Sequence, residues 1–360
     1  MHSEVLKGAV TALLVLGLAV EGTAVAAAGS ESPSPVGVGA DVSAAFRHIR
    51  QLTPAPGRRL HVPDIPGRQH LWCRGARPGA GQPTVVVVSG AGDFSLSWRQ
   101  VQSTIAAHHR ICTYDRPGLG WSNASGTPRT ARHIIPELTR LLRAADVRGP
   151  LVVVGHSMGG IYARMFAARH LSRVRGVVLV DPGDEHLDVA ISRNARRALN
   201  SAVQGAAESQ TASGQVCATG AFAENLRLLP LATVFPPRDA RIERRLQAGW
   251  CRIWRTTAAE GRGAARTWAQ ARRADIGRGS LGRRPLAVIV SSAPLHFVSE
   301  PALDREIVST WRSLQRAQTS LSTVHRFSVA RGSSHAVMLD RPGAVAARIT
   351  WVLRRVHQRH

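Results

Sequence analysis

Lysine is almost missing from this sequence: of 47 Lys and Arg residues, Lys7 is the one lysine. A basic nucleic-acid surface usually mixes the two residue types and clusters them. Here arginine is spread along the whole chain. The net charge of +24 therefore reads mainly as a compositional preference for arginine. Weak affinity for anionic surfaces such as membrane headgroups is the secondary reading, and no specific nucleic-acid partner is implied. Metal-binding patterns are missing as well, with no His-Glu-x-x-His and no paired Cys-x-x-Cys. There is no P-loop and no dinucleotide fingerprint: Gly118 and Gly120 have G-x-G spacing, but the phrase runs on into Trp121 and opens no helix. Neither a metal nor a cofactor is expected. The glycine period of collagen and the charge pattern of a coiled coil are absent too. With 44% hydrophobic and 19% charged residues, the composition is that of a globular chain rather than a disordered one.

What is present fits one large domain or two modest ones, since the chain has 360 residues. That length buries a sizeable core without disulfide or metal staples. The first 28 residues read as a signal peptide or an N-terminal anchor. Lys7 supplies a thin positive region, 8–20 is an apolar run, and Ala24-Val25-Ala26 and Ala26-Ala27-Ala28 both suit cleavage. Glu21 makes a full membrane span costly, so a secreted or extracytoplasmic location is expected. Residues 29–42, with the stretch SESPSPVGVG at 30–39, read as a linker. Four cysteines, Cys73, Cys112, Cys217 and Cys251, suit an oxidising compartment. They allow three pairings, and free buried thiols are the alternative.

Hydrophobic periodicity orders the rest. A short helix is expected at 43–51, then a strand pair at 59–63 and 70–74. The run TVVVVS at 84–89 suits a parallel strand buried on both faces. A helix at 98–107 and a strand at 110–114 follow, then a helix at 130–145, a strand at 151–154, a tight turn at 155–160, a helix at 161–170 and a strand at 176–180. From 182 to 284 the chain is rich in Ala and Arg with helical spacing and no strong strand. Alternation resumes with a strand at 285–290, a helix at 305–318, a strand at 324–329 and a helix at 341–356. Such alternation implies a mostly parallel α/β sheet. The expected organisation is a core at 43–182 and 285–360, interrupted by a helical insertion at 183–284.

Gly155-His156-Ser157-Met158-Gly159-Gly160 matches G-x-S-x-G between a strand and a helix, the context that gives this motif its meaning. A sharp strand-to-helix turn exposes the Ser157 Oγ. Gly155 and Gly159 keep side chains out of the crowded crossing. The helix N-terminus brings the Met158 N–H toward a developing oxyanion. A serine nucleophile needs a base. His335 follows the 324–329 strand and a short loop and precedes the last helix, at the sheet edge where ligands bind open α/β folds. His156 reads as a packing residue.

These residues, with the phrase Tyr114-Asp115-Arg116-Pro117-Gly118-Leu119-Gly120-Trp121-Ser122, resemble an α/β-hydrolase fold serine hydrolase of the esterase/lipase kind over about 58–182 and 285–356. The resemblance implies a mostly parallel sheet flanked by helices, with a helical cap between strands six and seven. It implies an oxyanion hole from Met158 and from the loop Ser89-Gly90-Ala91-Gly92-Asp93, where Ala91 is the expected donor. The family usually has His-Gly where this chain has Ser89-Gly90, so the backbone donor is kept and the side-chain support is not. The usual acid after strand seven is missing from Ser291-Ser292-Ala293-Pro294-Leu295. A known variation puts it after strand six, at Asp181, with Glu300 and Asp304 as alternatives. The expected pairing of Asp115 with Arg116 would brace the phrase's loop. The family's strand order makes the second and fourth strands neighbours, which implies a Cys73–Cys112 disulfide and leaves Cys217–Cys251 to bridge the cap. Trp98 and Trp121 are expected to be structural or to line the pocket. Trp250, Trp254 and Trp268 are expected to pack the cap on the core. The expected activity is cleavage of a small-molecule carboxylic ester by Ser157, His335 and an acid. A non-catalytic binding protein and a peptidase or amidase of the same fold are the alternatives.

Overall fold

A computed structural model describes residues 54–358 apart from 80, 219–240, 243–250, 275 and 294. The N-terminal segment, the helix expected at 43–51 and Trp250 lie outside the described residues. Among the described residues, eight strands form one sheet: β1 (Arg58–Val62), β2 (Ile65–Arg74), β3 (Thr84–Val88), β4 (Ile111–Tyr114), β5 (Leu151–His156), β6 (Val174–Val180), β7 (Leu286–Ser291) and β8 (His325–Ala330). Their order is β1-β2-β4-β3-β5-β6-β7-β8. β2 pairs antiparallel with β1 and β4, and the remaining neighbours are parallel.

The β-branched runs sit where a two-sided core needs them. In β3, Val86 and Val88 face the layer built by α2 (Ala131–Ala144) and α3 (Met158–Arg169). Val85 and Val87 face α1 (Arg99–Ile105) and the C-terminal helix. All four valines are fully buried, each worth about 1.5–3 kcal/mol relative to exposure. This is why the central strands read as continuous apolar runs rather than alternating ones.

Between β6 and β7 the described elements are all helical: α4 (Leu187–Ala190), α5 (Arg193–Ala218), α6 (Cys251–Arg262) and α7 (Ala264–Arg273). After β7 come α8 (Pro301–Ala317), the short α9 (Val337–Asp340), which periodicity did not reveal, and α10 (Pro342–His357). Most observed bounds differ from the expected ones by a few residues. β2 is longer, starting at Ile65 instead of residue 70. α3 starts at Met158 rather than 161, because Gly159 and Gly160 form its first turn instead of a preceding loop. Cys73 faces Cys112 across β2 and β4 in a disulfide, and a second disulfide joins Cys217 to Cys251 at the start of α6. Among the described residues no helix is long and apolar enough to cross a membrane.

Candidate active site

The elbow is built by close backbone approach. Ser157 sits at φ 53° and ψ −127°, between the end of β5 and the first residue of α3. Such a conformation costs a non-glycine residue on the order of 1–3 kcal/mol. A Cβ on Gly159 would lie 2.2 Å from the Val88 carbonyl oxygen, and one on Gly155 would lie 2.5 Å from the Gly159 carbonyl oxygen. Only glycine lets the helix start pack this tightly on β3 and β5. The Ser157 N–H donates to the Val180 carbonyl (3.2 Å), and its own carbonyl accepts from Gly160 and Gly183. Both polar backbone groups of the serine are thus hydrogen-bonded.

His335 and Asp181 come together from 154 residues apart. His335 Nδ1 lies 2.6 Å from Asp181 Oδ2, both groups being buried. Asp181 Oδ1 accepts from the Ser291 N–H (3.0 Å) and from Gln315 Nε2 (3.0 Å). Burial alone would raise the Asp181 carboxyl. The His335 hydrogen bond and charge, with Ser291 and Gln315, more than offset it and hold the group below its ordinary value. The ionised carboxylate fixes the His335 proton on Nδ1. That leaves Nε2 buried and without a hydrogen-bond partner. The imidazole lies against the His156 ring (4.7 Å between centroids) and the Trp311 ring (5.6 Å).

His156, next to the serine, is pushed down to about 3 by burial and then by the nearby His335. It is neutral at ordinary pH, and its Nε2 donates to the His335 carbonyl (2.9 Å). It therefore supports the His335 backbone.

The loop after β3 closes the other side. A Cβ on Gly90 would lie 3.2 Å from Ser157 Cβ, so this loop abuts the serine. Asp93 N–H donates to the Gly90 carbonyl and Gly92 N–H to Glu260 Oε2. The Ala91 N–H between them has no acceptor among the described residues. The Met158 N–H, first in its helix, has no intrahelical acceptor.

Two alternatives for the acid and one expected pairing need correction. Glu300 does not approach His335. It caps α8, accepting from Ala302 (3.1 Å) and Leu303 (2.9 Å) with Pro301 as the first helical residue. Glu300→Ala is expected to lower stability by about 0.5–1 kcal/mol in urea unfolding; a variant as stable as wild type would contradict the capping role. Asp304 instead braces the loop before α8, accepting from the Phe297 and Val298 N–H groups and pairing with His296. Nor do Asp115 and Arg116 pair with each other. Asp115 bonds His70 Nδ1 (2.7 Å), and Arg116 bonds Glu260 from α6. Neighbours in sequence point apart here, and each finds a stronger partner across the fold.

The aromatic residues are packed. Trp98 and Trp121 are buried, the latter against His70 and Phe94. Trp268 joins the cluster between α5, α7 and α8. Ser291 and Glu260 had no sequence signal as site residues. Gln315 offered one indirect clue: a polar residue four positions after Trp311 on the buried face of α8.

A serine at a strained strand–helix elbow, on an eight-stranded mostly parallel sheet flanked by helices, defines a hydrolase architecture. The chain belongs to the alpha/beta hydrolase family, whose sequence profile matches residues 85–348. It is 36% identical over 153 residues to an uncharacterized protein of Schizosaccharomyces pombe, covering 36% of this chain and 29% of that protein. It is 33% identical over 103 residues to a protein described as the carbamate hydrolase RutD of Azorhizobium caulinodans, covering 29% of this chain and 38% of that one. The chain thus spans well under half the length of these curated relatives. Among solved structures, a thermophilic esterase from Thermogutta terrifontis has a TM-score of 0.55 at 20% identity, covering 84% of this chain and 100% of that one. A protein described as an epoxide hydrolase from Pseudomonas aeruginosa has a TM-score of 0.61 at 18% identity, covering 85% and 98%.

Proposed function

We propose that the protein is an exported serine hydrolase that cleaves a carboxylic ester through an acyl-enzyme. The observation that carries this is the Asp181–His335 hydrogen bond, which leaves a buried, unpartnered Nε2 on the ring beside the elbow. In the proposed cycle, Ser157 Oγ attacks the ester carbonyl carbon and its proton passes to His335 Nε2. The carbonyl oxygen becomes an oxyanion facing the Ala91 and Met158 N–H groups. Collapse breaks the carbon–oxygen bond, and the departing alcohol takes the proton from Nε2. A water then gives its proton to Nε2, attacks the acyl-serine and releases the acid, and Ser157 recovers its proton. Asp181 stays ionised throughout and steadies the imidazolium.

The esterase fold likeness and the hydrolysed carbonyl in the RutD relative's name support an acyl substrate. A serine at the elbow, rather than a carboxylate, argues against epoxide opening despite the fold likeness in that direction. The helices between β6 and β7 act as the cap in this reading. Two disulfides support export to an oxidising compartment.

Reaction with a fluorophosphonate probe tests the proposal. Wild type is expected to label at Ser157, and Ser157→Ala and His335→Ala to lose the label. Folded wild type that stays unlabelled would overturn it.

A further inference from the structure

A buried ion pair touches both peptide groups that flank Ala91. Arg116, in the loop after β4, and Glu260, on α6, are 144 residues apart and both almost fully buried. Arg116 Nε donates to Glu260 Oε1 (2.6 Å) and Nη2 to Oε2 (2.8 Å). The same guanidinium donates to the Ser89 carbonyl (2.7 Å) and to the Gly90 carbonyl (2.5 Å). Glu260 Oε2 also accepts the Gly92 N–H (2.8 Å).

The Gly90 carbonyl and the Ala91 N–H belong to one peptide group. In a planar trans peptide they point in opposite directions, so anchoring the carbonyl aims the N–H. A charge-assisted bond on that carbonyl also polarises the amide and strengthens its N–H as a donor. The next peptide is pinned by its Gly92 N–H on Glu260. Gly92 itself packs on α6, where an added Cβ would lie 2.5 Å from Thr257 Cγ2. Both peptides flanking the Ala91 side chain are therefore tied to the same pair.

We infer that Arg116 and Glu260 are positioning residues for the oxyanion donor: the guanidinium orients and polarises the Gly90–Ala91 peptide, and the α6 carboxylate holds the guanidinium in place. The inference rests on the serine-hydrolase reading for its catalytic consequence, but the ordering of the loop stands apart from it. It makes α6 a structural part of the oxyanion hole as well as a cover. A lysine at 116 cannot reproduce it, since an ammonium lacks the planar fork that reaches a carboxylate and two carbonyls at once.

The test compares wild type, Arg116→Lys, Glu260→Gln and Ser157→Ala. Three quantities are read: steady-state hydrolysis of p-nitrophenyl acetate, inhibition by a trifluoromethyl ketone, and hydrogen exchange of the amides at 89–93 in the resting protein. Both pair variants are expected to lower kcat by about 10- to 100-fold with KM within about threefold, a partial version of deleting an oxyanion donor. Ketone inhibition should weaken in step with kcat/KM, and exchange at 89–93 should quicken. Glu260→Gln keeps the side-chain shape and an acceptor for Gly92, so it serves if Arg116→Lys does not fold. Variants that lose only thermal stability, with kcat and loop exchange unchanged, would overturn the inference. Wild type that turns over no faster than Ser157→Ala would instead overturn the serine-hydrolase reading, and loop exchange would still decide whether the pair orders the loop.

Discussion

Asp181→Asn is expected to lower kcat for the proposed ester hydrolysis by about 10⁴-fold, with KM nearly unchanged. The reason lies in the two donors that meet Oδ1. The Ser291 N–H and Gln315 Nε2 both point at that atom, so an asparagine places its carbonyl oxygen there to accept them. Its NH₂ then takes the place of Oδ2 and faces His335 Nδ1. An NH₂ donates, so the imidazole must accept at Nδ1 and carry its proton on Nε2. That is the wrong tautomer for taking the Ser157 proton. The side chain keeps its size, so stability should fall far less than activity. Steady-state kinetics across pH checks this: turnover should be restored in part at high pH, where hydroxide substitutes for the base. An Asp181→Asn variant within tenfold of wild type would show that the acid lies elsewhere.

Asp115→Ala is expected to cost about 3–5 kcal/mol of stability, the penalty for removing one partner of a buried ion pair. Asp115 Oδ1 accepts the Ser95 N–H (2.8 Å), and Oδ2 accepts the Trp121 N–H (2.8 Å) and meets His70 Nδ1 at 2.7 Å. The other His70 nitrogen faces the Pro56 carbonyl (2.5 Å). With an acceptor at each nitrogen, the ring is held as an imidazolium. Burial pulls the His70 value down, but the Asp115 charge and hydrogen bond and the Pro56 carbonyl more than offset it, so it is raised. Burial pushes Asp115 up, but His70 and the two N–H groups more than offset that, so it is lowered.

The signs define a window. The raised histidine contributes in full below its unfolded value of about 6.5 and loses its contribution as pH rises through the folded value. The lowered carboxylate contributes in full above about 3.9 and loses its contribution as pH falls through the folded value. Stabilisation by the pair is therefore greatest between roughly pH 4 and 6.5. Urea unfolding across that range should show the largest difference between wild type and Asp115→Ala there. A loss under about 1 kcal/mol would mean the pair is incidental.

Much of this molecule is legible from local pattern. The valine run of β3 announces a strand buried on both faces, because each residue meets a helix layer above or below the sheet. The elbow is readable because its glycines answer a local crowding at Ser157. His335 is singled out by its place between a strand and the last helix. The short α9 was missed, since a four-residue helix has no period to detect.

The acid shows where local reading stops. Asp181, Glu300 and Asp304 were all open in the sequence. Glu300 carries a helix-cap pattern, with Pro301 next in the chain, that explains it without any reaction. Asp304 is taken up by the turn just before it. The phrase at 114–122 shows the same limit: Asp115 and Arg116 are adjacent, yet one serves His70 and the other serves Glu260.

By itself, then, the sequence determined most of the elements, their alternation, the elbow and the place of His335, because these depend on spacings within a few residues. Only the tertiary structure decided which carboxylate meets His335, which one meets Arg116, and what holds the Ala91 peptide. Those partners lie 154, 144 and 26 residues apart along the chain. A charged group buried in the crossing of two segments pairs with whichever opposite group the fold brings within reach, and no periodicity along the chain records that meeting.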